Sequence, residues 1–87
     1  MLNVNPAINQ KFLDFYKEVF KEASLPLKTK ELIAVAVSLT AGCTPCYNSH
    51  LEKAKKAGNT DDEIREAIAV AEVISAGKIR AMSVKEN

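Results

Sequence analysis

The chain has 87 residues, a net charge of +1 with acids and bases interspersed, and 47% hydrophobic residues with no tryptophan. One domain of that size buries only about 60–65% of its unfolded surface, so it is marginal without a disulfide, a metal or a partner subunit. The composition excludes a disordered chain, the charge balance argues against a nucleic-acid or anionic-membrane surface, and no apolar run approaches the roughly 18–20 residues of a membrane span.

The N-terminus has neither the basic region nor the apolar core of a signal peptide, so the expected compartment is a reducing cytoplasm. Asn5-Pro6 starts a first helix, with Asn as N-cap and Pro at the first helical position. Phe12, Phe15, Tyr16, Val19, Phe20 and Ala23 follow at spacings of three and four. That is one apolar stripe on a helix from about Pro6 to Ala23, expected to cover a core rather than a ligand. Ser24-Leu25-Pro26-Leu27 breaks the pattern. A second helix runs from about Lys28 or Thr29 to Ala41, and Leu32–Val37 is apolar on every face, as for a buried central helix. Gly42 ends it.

Thr44-Pro45 restarts the chain at once, with Thr44 as N-cap, Pro45 first in a third helix and Cys46 second, Gly42 or Cys43 being the alternative caps. Cys46, His50, Leu51, Ala54 and Ala57 share its inward face; Glu52, Lys53, Lys55 and Lys56 face water, and Gly58 closes it. Thr60-Asp61-Asp62-Glu63 is a capping box. One face of the fourth helix carries Ile64, Ala67, Ile68, Ala71, Ile74 and Ser75; Ala69, Val70, Val73 and Ala76 form a second. That is more apolar surface than one small core can use, and the excess reads as a subunit interface. Gly77 marks a kink or close packing, and Lys85-Glu86-Asn87 should fray. No strand-period segment of useful length occurs, so the fold class is all-α: a compact single domain of four helices, residues 1–87, assembling through its long apolar helix.

Both cysteines and the only histidine fall within Cys43-Thr44-Pro45-Cys46-Tyr47-Asn48-Ser49-His50. Two cysteines two residues apart in a reducing compartment point to redox chemistry or a metal rather than a staple. N–H groups at a helix mouth stabilise a Cys46 thiolate. His50, four residues on along the same face, can accept the thiol proton or, as imidazolium, stabilise the thiolate. Cys43 is placed to attack any bond that Cys46 makes. Zinc is the rival reading, but the chain offers no second Cys/His pair, so a closed site needs Glu31, another carboxylate, water or a second subunit. Glu31 by itself reads as a solvated residue near a helix start. It lies roughly 18 Å along the axis from Cys43, and it could serve the cysteines only through His50 on the returning helix.

Cys43-x-x-Cys46-x-x-x-His50, preceded by Lys30-Glu31-Leu32-Ile33-Ala34-Val35-Ala36-Val37-Ser38 and followed by Ala57-Gly58 and Asp62-Glu63-Ile64 with Glu66-Ala67, resembles the alkyl hydroperoxidase D (AhpD) family, part of the carboxymuconolactone decarboxylase superfamily. The likeness covers about Thr29 to Gly77 and implies an all-helical fold assembled as trimers or hexamers. It implies a hydroperoxide substrate reduced by Cys46, with Cys43 resolving and Glu31 and His50 as a proton relay. Glu31 thereby becomes an expected site residue. Some members carry His or Tyr where this chain has Pro45, which implies slower or absent peroxidase turnover. Carboxymuconolactone decarboxylases proper typically lack the cysteine pair, which argues against decarboxylation. The expected function is a thiol-dependent peroxidase that binds no cofactor or metal of its own and is restored by a thioredoxin-like or lipoyl-bearing protein. The alternatives are a thiol–disulfide oxidoreductase acting on a protein or small-molecule disulfide, and a non-catalytic helical assembly or zinc-binding module.

Overall fold

A computed structural model of the chain describes residues 4–84. Four helices occupy them: α1 (Pro6–Phe20), α2 (Leu27–Ala41), α3 (Thr44–Lys56) and α4 (Asp61–Ser83). Local chemistry fixes most of their ends. The Asn5 side chain accepts the Ala7 N–H at 2.8 Å, as expected of an N-cap. Gly42 and Gly58 take positive φ of 71° and 100°, which L side chains avoid, and close α2 and α3. The Thr60 hydroxyl accepts from Glu63 N–H at 3.1 Å while the Glu63 carboxylate accepts from Thr60 N–H at 2.8 Å, the reciprocal capping box. The Thr60 N–H, with help from Lys28 at 3.3 Å, holds the Glu63 carboxyl below its usual pKa.

The packed body is α2 with α3 and α4 laid against it. Val35, Ala54 and Ile64 are its buried apolar centre, flanked by Leu32, Tyr47, Leu51 and Ile68. Asn59, buried in the α3–α4 turn, donates to Lys28 O at 3.0 Å and Ala54 O at 3.1 Å, tying that turn to the start of α2. Small residues at the α2–α3 contact let the two backbones approach. Val35 and Ala54 are both 0% exposed there.

Several expectations shift. α1 ends at Phe20, three residues short of Ala23, because Lys21 turns to extended backbone. It contains no buried residue, so its aromatic stripe does not cover a core within this chain. What anchors it is its C-terminal end, where the Lys30 ammonium donates to the carbonyls of Val19 (2.7 Å) and Lys21 (2.6 Å), a cation seated on a helix C-terminus. α2 starts at Leu27, a residue or two early, and only one side of it is enclosed; Ile33 and Val37 are exposed. In α4, Ile74 is exposed rather than inward, together with Val70 and Val73. The helix runs past Gly77 to Ser83, and a Cβ at Gly77 would meet open space, so neither break nor close packing occurs there. Lys85, Glu86 and Asn87 lie outside the described residues.

The radius of gyration is 16.0 Å, against about 12 Å expected of a globular chain of this length. α1 and the half of α4 beyond Ala71 contain no buried residue. Both expose large apolar side chains, Phe12 and Phe15 on one and Ile79 and Met82 on the other.

Candidate active site

α2 and α3 run back past one another, and this brings Glu31, one turn into α2, against His50 at the middle of α3. The Glu31 Oε1 lies 2.6 Å from His50 Nδ1, with the two residues 4% and 8% exposed. One turn further along each helix, Val35 and Ala54 close the same interface. The carboxylate–imidazole pair is thus built into the tightest part of the body. A carboxylate only accepts, so Nδ1 carries the proton toward it and Nε2 is left as the second functional nitrogen.

Nε2 is also engaged. The Tyr16 hydroxyl lies 3.1 Å from it, and the Lys53 ammonium donates to the Tyr16 oxygen at 3.0 Å. Phe20 stacks on the imidazole with centroids 5.1 Å apart and planes 14° from parallel. α1 therefore does serve the site, contrary to the expectation that it faces only a core. The stripe Phe12-Phe15-Tyr16-Val19-Phe20 hid Tyr16 and Phe20 among core-type residues. The one available signal was the hydroxyl of Tyr16, a polar tip that needs a partner.

At the mouth of α3 the N-cap is Cys43, not Thr44, so Thr44 and Pro45 are the first two helical residues and Cys46 the third. The Cys46 N–H donates to the Cys43 sulfur at 3.2 Å. The two sulfurs are joined as a disulfide, with Cα atoms 5.2 Å apart. Cys43 is half-buried and Cys46 exposed, not inward-facing as its helical spacing predicted. The Cys46 side opens on an apolar groove of 470 Å³ that it shares with His50, Phe20, Ile33 and Val37. The Cys43 side opens on a separate cleft of 170 Å³ with Ser38, Leu39 and Tyr47. Glu31, His50 and Tyr16 are joined by hydrogen bonds. Cys46 is joined to His50 by a common groove, since both ring nitrogens of His50 are already partnered by Glu31 and Tyr16. Among the described residues no three His, Cys, Asp or Glu side chains gather as a metal site. No helix among them is long and apolar enough to cross a membrane.

The carboxymuconolactone decarboxylase family model matches residues 6–84. An uncharacterised protein of the cox locus of Paracoccus denitrificans is 41% identical over 82% of this chain and 64% of its own length. The alkyl hydroperoxide reductase AhpD of Anaeromyxobacter sp. (strain K) is 37% identical over 56% of this chain and 26% of its own length. The chain thus spans 64% or less of the curated relatives cited. Among solved structures, a Methanobacterium thermoautotrophicum protein superposes with a TM-score of 0.85 at 36% identity, covering 94% of both chains. A Thermotoga maritima protein of the same family, for which a part in the antioxidative response has been suggested, gives a TM-score of 0.77 at 30% identity over 82% of this chain and 73% of its own. The all-α fold and the Cys43–Cys46 pair agree with these matches, and the chain belongs to the carboxymuconolactone decarboxylase family, with an AhpD-like arrangement of its helices.

Proposed function

We propose that this chain is a thiol-dependent peroxidase. The observation that carries the reading is the Cys43–Cys46 pair at the helix mouth, with Cys46 sharing an apolar groove with His50, which is in turn held by buried Glu31. In the dithiol state His50 takes the Cys46 proton and the thiolate attacks the terminal oxygen of a hydroperoxide. The O–O bond breaks, the alkoxide takes that proton from His50 to leave as an alcohol, and Cys46 becomes a sulfenic acid. Cys43 attacks the Cys46 sulfur and water departs, which gives the disulfide. A thioredoxin-like or lipoyl-bearing dithiol then reduces it by two exchange steps. The balance is one hydroperoxide and two thiols to one alcohol, one water and one disulfide. An apolar groove favours an organic hydroperoxide over hydrogen peroxide. In steady-state turnover with an excess of dithiol reductant, Cys46→Ser abolishes peroxide consumption; unchanged consumption in that variant refutes the reading.

A second reading, thiol–disulfide exchange with a protein or small-molecule disulfide, is favoured by the N-cap position of Cys43. Its sulfur receives the Cys46 N–H, which suits it as a leaving thiolate when an external thiol opens the bond. Disulfide reduction faster than peroxide reduction at matched concentrations distinguishes this reading from the first.

The exposed apolar faces of α1 and α4 support a homo-oligomer, since scattered surface hydrophobics are ordinary but two continuous helical faces are not. A monomeric mass by light scattering at micromolar concentration refutes the assembly.

A further inference from the structure

His50 is held from two sides, by Glu31 at Nδ1 and by Tyr16 at Nε2. The Tyr16 oxygen already accepts from the Lys53 ammonium, which has no lone pair to give back, so its own hydrogen is free to donate to Nε2. We propose that Tyr16, backed by Lys53, is a positioning residue that occupies the Nε2 lone pair of His50 and so competes for it with the proton of Cys46. The proposal rests on the redox reading above only for the part played by the Cys46 proton.

The placement of the two openings supports it. His50 and Cys46 line the apolar groove, whereas Tyr16, Glu31, Lys53 and Lys56 line a different cleft of 340 Å³. Phe20 lines both, and its ring stacks with the imidazole and with the Tyr16 ring, centroids 5.1 and 4.7 Å away, while those two rings sit beside one another with centroids 6.0 Å apart. The groove's remaining ionisable side chain, Lys30, has its ammonium committed to two carbonyls. His50 thus meets the reacting sulfur from the groove and the charged, solvent-facing groups from the opposite cleft. When it serves Cys46, one proton moves from Sγ to Nε2 and the Tyr16 hydrogen turns into the Lys53 cleft; no covalent bond changes at Tyr16.

The only histidine in the chain makes the test direct. Imidazole ¹⁵N spectra of the oxidised protein, taken above neutral pH, show the Nε2 shift of a hydrogen-bonded lone pair in the wild type. In Tyr16→Phe, which keeps the stacked ring, that shift moves to the position of a free lone pair. Lys53→Met moves it in the same sense by less, and Lys53→Arg restores it. In reduced protein, alkylation mapped to Cys46 by mass spectrometry quickens about 2- to 10-fold in Tyr16→Phe, the range one hydrogen bond commands. An unmoved Nε2 shift with unchanged alkylation overturns the proposal. Should Tyr16→Phe fail to fold, Lys53→Met decides alone, since it leaves every aromatic contact of His50 in place. The spectra do not depend on turnover, so a wild type inactive toward peroxide refutes the proposed function and leaves this test standing.

Discussion

Replacing Glu31 separates what the buried pair does for stability from what it does for chemistry. The contact is short, 2.6 Å, and both partners are more than nine-tenths buried. A hydrogen bond to a charged group contributes about 1.5–3 kcal/mol, and a buried donor left without a partner costs about 1–3 kcal/mol. Glu31→Ala orphans the Nδ1–H of His50 and removes that contribution, so it should cost about 2.5–6 kcal/mol. Glu31→Gln keeps an oxygen within reach of Nδ1 and loses only the charge, which leaves a neutral bond of roughly half the strength and a cost of about 1 kcal/mol. Reactivity should rank differently. Both variants deprive His50 of its anionic partner at Nδ1, so peroxide consumption falls about 10- to 100-fold in both, the usual effect of removing the group that orients a functional imidazole. Urea unfolding at fixed protein concentration gives the first ranking and stopped-flow consumption of cumene hydroperoxide the second. A Glu31→Ala variant as stable as the wild type, or a Glu31→Gln variant of full activity, refutes the reasoning.

Ala54→Leu tests the closeness of α2 and α3: with Ala54 and Val35 both fully buried, three extra carbons have no space and should cost about 1–3 kcal/mol, read as a lower urea midpoint. Unchanged stability would mean that the interface is looser than its burial implies. Glu63 gives the pH dependence. Its carboxyl titrates below its ordinary value of 4.5, chiefly because it accepts the Thr60 N–H, so its contribution to stability is present above that value and lost as pH falls through the lower, folded-state one. The stability gap between wild type and Glu63→Gln should therefore close in acid, and a gap independent of pH from 7 to 3 contradicts the assignment.

Helix ends were the most legible part of the sequence, because each is decided by chemistry within four residues. Asn5-Pro6, Gly42, Gly58 and the Thr60–Glu63 box all stand where their types predict. The exception is instructive. At α3 the cap moved one residue, from Thr44 to Cys43, because either side chain can accept a first-turn N–H and Pro45 is tolerated at either of the first two helical positions. Periodicity was less informative. The stripe from Phe12 to Phe20 says that one face of α1 is apolar but not what covers it, and the same holds for Val70, Val73 and Ile74 on α4. Tyr16 was out of reach for a stronger reason: its partner lies 34 residues away, and the hydrogen bond exists only because α3 returns past the end of α1. Glu31 stood midway. By itself it reads as a solvated residue, and the family resemblance, not spacing, makes it an expected site residue; helix geometry adds only that its route to the cysteines runs through His50, where the carboxylate lies.

Burial then constrains how such a site can be stable at all. Among the described residues the buried polar side chains, Glu31, Ser38, His50 and Asn59, are as numerous as the buried apolar ones, Val35, Ala54, Ile64 and Ala71. Buried carboxylate–imidazole pairs lose most of their attraction to desolvation, so the polar half contributes geometry more than net stability. Four apolar residues, two of them alanines, are too few to offset the ordering of four helices. The missing burial is on the surface of the same chain, in the exposed stripes of α1 and α4. The homo-oligomer proposed above would bury those stripes and so help to keep the α2–α3 interface closed around Glu31 and His50. Dilution should therefore loosen the site and reduce stability together, because covering α1 also fixes Tyr16 and Phe20 against the imidazole.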